Sequence, residues 1–250
     1  MKYRALASTA AVLAAVTLLL TGCSPSGHPD AAPKAHSSAP AAPTATPTPT
    51  PPPSVGTAAT VLTAVRSIEV HDAPGGAVVA TLANPQPSGA PLTFLEVSSQ
   101  NGWLKVELPQ RPNGSTGWIS ATTVSQARLE YRLTASTEQN TLSLYRNDTL
   151  IKTYTVATGT GGTPTPHGSF YLTELLAPTN AGYGPYAFGL SAFSDVLSSF
   201  GGGPGQIGLH GTDDAASIGR SASHGCIRMN NDDITALAKL LPLGTPITIE

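Results

Sequence analysis

Between positions 208 and 229 the chain reads GLHGTDDAASIGRSASHGCIRM, a run holding His210, His224 and Cys226. These residue types can do covalent chemistry. A thiol attacks an acyl carbonyl as thiolate, and its free pKa is about 8.5. A nearby imidazole lowers that value through an ion pair and can then protonate the leaving amine. Two histidines compete for the role. His224 is two residues from Cys226, so in an extended segment both side chains share a face. His210 lies sixteen residues upstream and needs a returning loop to reach the thiol. Spacing alone does not choose between them.

Gly225, beside the thiol, removes a side chain where substrate must approach and permits backbone geometry closed to other residues. The N–H groups of Gly225 and Cys226 are the expected oxyanion donors. Arg228 has three readings: it raises the local positive potential, binds a substrate carboxylate, or holds the loop by hydrogen bonds. A metal site is a rival reading, with His167 joining His210, His224 and Cys226. The spacing matches no zinc pattern of paired ligands, so no metal and no cofactor are expected.

Only one other cysteine, Cys23, is present. It follows MKYR, an uncharged run ALASTAAVLAAVTLLL and the box LTGC. A basic start, an apolar stretch and small residues before a cut describe an export signal, and the box resembles that of bacterial lipoproteins. The expectation is a signal over residues 1–22 and a lipid on Cys23, which anchors the protein to the outer face of the cell membrane, in the cell wall space. Cys226 is then left without a partner, and an unpaired thiol outside the cytoplasm is prone to oxidation unless used or buried. Without residues 1–22, eleven basic residues face fifteen acidic ones, a formal charge of −4. That argues against a nucleic-acid partner, which needs a clustered positive surface.

The elements that must position the thiol are to be sought between Cys23 and Glu250. Residues 23–56 are rich in Pro, Ala, Ser and Thr, with almost no large apolar residue, and read as an extended tether that also holds His28 and His36. Over 57–126, short alternating runs are broken by turn signals at Pro74–Gly76, Asn101-Gly102 and Asn113-Gly114, the pattern of a small β-barrel. NGWLKVELP followed by RPNGSTGWI resembles the bacterial SH3-like domain. Trp103 and Trp118 are read as core or rim packing, and His71 as a surface or turn residue. Over 127–250, strand-like alternation begins at Tyr131, with turns at Glu138–Asn140 and Asn147-Asp148. Pro164 and Pro166 mark a loop, holding His167 near the cleft rim, before a strand at Ser169–Leu176. NAGYGPYAFG, with Tyr183 and Tyr186, is read as a lid or rim loop that touches substrate, and the Gly-rich SSFGGGPGQ as a long surface loop. NNDDITALAKLLPLG is the clear helix, with Asn231 as its cap and Ile234, Leu237 and Leu241 on one face. ITIE closes the chain as a strand.

His210, a loop of a dozen residues and then Ser223, His224, Gly225 and Cys226 together resemble the signature of the L,D-transpeptidases, the YkuD-type catalytic domain. TPTPHGSF is also typical of that family, and the likeness covers residues 130–250. It implies a β-sandwich with short helices, so that with the SH3-like β-barrel before it the expected fold is mainly β. It implies that Cys226 is the nucleophile and His210 the base. The Gly211 carbonyl would orient the imidazole, with His224 and Ser223 in support. By the same resemblance the substrate is the peptidoglycan stem peptide. Its third-residue carbonyl is attacked, D-Ala leaves, and a second stem resolves the thioester as a 3–3 cross-link. Beta-lactams of the carbapenem class are implied as covalent inhibitors. The alternatives are an L,D-carboxypeptidase, in which water resolves the thioester, and a wall-binding lipoprotein with a degenerate catalytic head.

Overall fold

The computed structural model describes residues 55–250. The expected export signal, Cys23, His28 and His36 lie outside the described residues. Val55 and Gly56, assigned above to the tether, are packed: Val55 is buried and the Gly56 carbonyl accepts the Leu129 N–H.

The first sheet comprises β1 (Thr57–Val61), β2 (Ser67–His71), β3 (Val78–Ala83), β4 (Thr93–Gln100), β5 (Trp103–Glu107), β6 (Thr116–Ser120) and β7 (Val124–Arg128). Their spatial order is β3-β2-β6-β5-β4-β1-β7. β5 and β6 alternate in burial, so Leu104, Val106 and Ile119 point inward with Phe94 and Val70. Asn101 and Gly102 both have positive φ, 49° and 79°, in the two-residue turn between β4 and β5. That backbone matches the right-handed twist of the flanking strands and explains the Asn-Gly pair. His71 has partners that the sequence did not reveal. Its Nδ1 lies 2.8 Å from the Gly76 carbonyl, and its ring meets Trp103 edge-on at 4.7 Å.

The rest of the described chain supplies β8 (Tyr131–Ser136), β9 (Thr141–Arg146), β10 (Thr149–Thr155), β11 (Thr158–Gly159), β12 (Gly168–Leu176), β13 (Ala187–Phe193), β14 (Gln206–His210), β15 (Ser221–Ser223), β16 (Ile227–Arg228) and β17 (Pro246–Ile249), most of which form the second sheet. Eight of these run β10-β9-β8-β17-β12-β13-β14-β16, and β11 pairs separately with β15. Asn140, Asn147 and Asp148 take positive φ at the two meander turns, a conformation Asn and Asp tolerate better than most residues. α1 (Asn231–Leu240) lays Ile234 and Leu237 onto a core that includes Leu172, Phe188, Leu209 and Ile227.

Asn231 does not cap this helix. The cap residue is Asn230, without a side-chain capping bond, and the Asn231 amide oxygen instead accepts the Thr212 N–H at 2.9 Å. A distant backbone donor outcompetes the local one, and the contact ties the helix start to the chain just past His210.

Both sheets lie in one compact unit. Val55, Ala58, Leu95, Leu129 and Tyr171 form an apolar cluster that joins them. Tyr171 is fully buried and donates its hydroxyl proton to the Glu107 carbonyl at 3.2 Å. Burial pushes the Glu107 carboxyl up to about 7.

Candidate functional site

β14 and β16 position the chemistry. They run parallel, with Leu209 opposite Ile227 and His210 opposite Arg228. Side chains alternate along β14, so Ile207 and Leu209 enter the core while Gln206, Gly208 and His210 share the other face. Cys226 immediately precedes β16 and comes to rest over Gly208, whose N–H donates to Sγ at 3.3 Å. A Cβ on Gly208 would sit 3.5 Å from His210 Cδ2 and 3.8 Å from Cys226 Sγ. The thiol and the imidazole thus flank this one glycine, and a longer side chain there would wedge between them.

His210 is 3% exposed. Its Nδ1–H donates to the Gly211 carbonyl at 2.5 Å, which leaves Nε2 as the proton acceptor. The Gly211 carbonyl therefore stands where an orienting acid would. Tyr183 packs its ring 4.7 Å from the imidazole at 49°. Burial lowers the His210 pKa to about 4, against the opposing bond to Gly211 and with help from the Arg228 charge. Burial raises the Cys226 thiol, opposed by the Gly208 N–H and by Arg228. The two shifts agree: the resting pair is neutral thiol and neutral imidazole. Both directions favour neutral partners over the standing ion pair of the sequence reading, because enclosure disfavours both charged forms.

The His210 shift carries a stability signature. Below about 6.5 the unfolded chain takes up a proton that the folded site refuses until about 4. The contribution is therefore fully present above 6.5 and is lost as pH falls through that window, on the order of 3 kcal/mol. Glu107 has the opposite sign, contributing below its ordinary 4.5 and losing its contribution as pH rises to about 7. Comparison with a variant isolates the histidine: between pH about 7 and about 4.5, the melting midpoint of wild type should fall further than that of His210→Ala. Parallel curves would contradict the shift.

The SHGC turn is fixed from both sides. The Ser223 hydroxyl donates to the Cys226 carbonyl at 2.5 Å and accepts the Gly225 N–H at 3.1 Å. The Thr165 hydroxyl donates to the Gly225 carbonyl at 2.8 Å and accepts the Gly159 N–H at 2.8 Å. The Gly225 N–H is thus already engaged and drops out as an oxyanion donor, leaving the Cys226 N–H of the expected pair. Gly225 has φ +117°, and a Cβ there would stand 3.0 Å from Ile207 Cδ1 and 3.4 Å from the Pro164 carbonyl oxygen. Gly225→Ala should cost about 2 kcal/mol, from backbone strain and crowding together. The checks are thermal melting and the rate of Cys226 acylation, both of which should fall.

His224 does not share a face with Cys226, because the segment bends at 224–225 instead of running extended. Its ring is exposed and stacks on Phe200 at 5.1 Å and 28°. Arg228 is half-buried. Its Nη1 lies 3.9 Å from Asp214 Oδ2, and its Nε is buried without a hydrogen-bond partner among the described residues. Its charge favours the thiolate of Cys226 and disfavours a charged His210, in keeping with the electrostatic reading, while the Asp214 contact is in keeping with the loop-holding one.

The thiol opens onto two compartments. One, about 350 Å³, is walled by Glu174, Leu176, Pro178 and Phe188. The other, about 300 Å³, is lined by Asn180, His224 and Arg228. Cys226, His210, Tyr183, Phe200 and Gly201 border both. Tyr183 is therefore at the cleft. Tyr186 lies elsewhere: its ring packs against the core, and its carbonyl accepts the Gly211 N–H. Neither compartment includes it, because it sits where the loop rejoins β13. His167 bonds Thr137 Oγ1 at 2.8 Å and lines a separate depression, away from the thiol. No group of three or more metal-ligating residues forms among the described residues. Phe200, Gly208 and Thr165 belong to the site but carried no sequence signal of their own.

An enclosed thiol and a neutral, backbone-oriented imidazole on one sheet face make the arrangement that thiol-dependent acyl transfer requires. Residues 130–249 match the family model of the YkuD L,D-transpeptidase catalytic domain. The chain is similar to the YkuD proteins of Bacillus licheniformis and Bacillus subtilis, which are named as L,D-transpeptidases. Each is 36% identical over 121 residues, covering 48% of this chain and 66% of the relative. The match thus spans just under two thirds of those relatives' length. A solved L,D-transpeptidase from Mycobacterium smegmatis aligns with 63% of this chain and 90% of its own, at 12% identity and a TM-score of 0.40.

Proposed function

We propose that this protein is a peptidoglycan L,D-transpeptidase that works through a thioester on Cys226. The observation that carries the reading is the pairing of Cys226 and His210 across Gly208. As Sγ bonds to the carbonyl carbon of the third stem residue, His210 Nε2 takes the thiol proton. The Cys226 N–H stabilises the developing oxyanion. The tetrahedral intermediate collapses, the C–N bond breaks, and D-Ala leaves with the proton from His210. The amine of a second stem then attacks the thioester, passes its proton to His210 and restores the thiol, forming a 3–3 cross-link. The two compartments suit separate approach of donor and acceptor. A carbapenem would acylate the same sulfur by opening its ring, with no leaving group.

Residues 57–126 are read as an SH3-like wall-binding domain. Lipidation at Cys23 and the 23–56 tether would hold the head within reach of the polymer outside the membrane. The test is mass spectrometry of products from a tetrapeptide muropeptide. A 3–3 dimer supports cross-linking. Tripeptide plus D-Ala without dimer would make the protein an L,D-carboxypeptidase. No turnover would leave the wall-binding reading.

A further inference from the structure

The loop joining β5 to β6 reaches out of its own sheet. The Asn113 side chain pairs with the Phe193 backbone at two points: Nδ2 donates to the carbonyl at 2.8 Å and Oδ1 accepts the N–H at 2.9 Å. Arg111 Nη2 donates to the carbonyls of Ser194 and Leu197, each at 2.8 Å. Its guanidinium carbon lies 5.0 Å from the centre of the Phe193 ring. All these contacts fall at the root of one segment, residues 194–205.

That segment is a closed loop. At its root the Ser194 N–H donates to the Gly205 carbonyl at 2.8 Å, and Ser194 Oγ accepts the N–H groups of Val196 and Leu197. At its tip Phe200 and Gly203 exchange backbone bonds at 3.0 and 2.9 Å. Its large apolar side chains are not buried: Val196 is 57% exposed and Phe200 44%. Without a core of its own, such a loop takes its position from contacts at its root. Its tip meets the thiol site, where Phe200 stacks on His224 and Phe200 and Gly201 border both compartments.

We propose that Asn113 and Arg111 of the first sheet are positioning residues that set the height of the 194–205 loop over Cys226. The N-terminal sheet thereby adjusts access to the thiol of its neighbour. The inference rests on Cys226 being the reactive thiol, but not on the identity of the acceptor.

The test is the rate of iodoacetamide alkylation in the full chain, followed at the Cys226 peptide by mass spectrometry so that Cys23 does not interfere. Asn113→Ala should speed alkylation about fivefold, by freeing two backbone groups of the root. Phe200→Ala should speed it similarly, and the double variant no further, since both act through one loop. Arg111→Ala should match Asn113→Ala, and Arg111→Lys, which keeps a donor, should restore part of the wild-type rate. In stem-peptide turnover the Asn113 variant should raise KM with kcat nearly unchanged. Unchanged alkylation in both the Asn113 and Arg111 variants, or factors that multiply in the double variant, would overturn the proposal. If Asn113→Ala fails to fold, the Arg111→Ala and Arg111→Lys pair decides alone. Absence of turnover in wild type would sink the proposed function and leave the alkylation result standing.

Discussion

Replacing Cys226 with alanine is expected to abolish acyl transfer, with a loss of about 10⁴-fold or more, because the sulfur is the group assigned to carry the covalent intermediate. The residue is half-buried and, among the described residues, its sulfur accepts one hydrogen bond, from Gly208. The fold should therefore survive, and the melting midpoint should stay within a few degrees. Cys226→Ser separates nucleophilicity from shape. A hydroxyl fills nearly the same space but is a far poorer nucleophile near neutrality, so activity should be lost there too. Product formation and thermal melting, measured together, check both variants. Substantial turnover by either would remove Cys226 from its assigned role.

The second large effect is expected at His210. With the resting pair neutral, no thiolate stands ready, and the imidazole must take the proton as sulfur attacks. His210→Ala should lower acylation by about 10³-fold, the middle of the range for a positioned general base. It also strands the Gly211 carbonyl in a buried place, so some stability is lost. The pH profile gives the finer check. Acylation needs neutral His210, so its acid limb should fall near 4, where the buried imidazole protonates, and not near the ordinary 6.5. His224→Ala is the contrast. Its exposed ring stacks on Phe200 instead of being buried beside the sulfur as His210 is, and its loss should leave acylation within about threefold of wild type. If the His224 variant were dead and the His210 variant active, the assignment of the base would be reversed.

The legible parts of this molecule are those decided over short distances. Asn101-Gly102 and Asn147-Asp148 form turns because the required positive φ is a property of those residues themselves. The strand at Gly168–Leu176 is bounded by prolines that cannot join a sheet interior. Ser223, His224, Gly225 and Cys226 stand out because their chemistry is unusual in one short run. What stayed hidden depends on partners far away in sequence. Asn231 sits where a cap belongs, yet it serves Thr212, nineteen positions upstream. The Gly-rich loop at 194–205 reads as surface because its composition is polar and small. Its part in the cleft comes from Phe200 meeting His224 and from Arg111 and Asn113 gripping its root. Gly208 and Thr165 carry no pattern at all, and their importance follows only from what lies against them. The choice between His210 and His224 belongs to the same category, since it turns on a bend at 224–225 and on the burial of His210, neither of which spacing reveals.

The central claim is that the acyl group is carried on Cys226, and it can be tested without reference to the final product. The full chain, mixed with a tetrapeptide muropeptide and quenched in acid within seconds, should yield a Cys226 peptide heavier by the donor minus D-Ala. That mass should vanish on treatment with neutral hydroxylamine, which cleaves thioesters. Donor mass on any other residue, or D-Ala release by Cys226→Ala at the wild-type rate, would contradict the account.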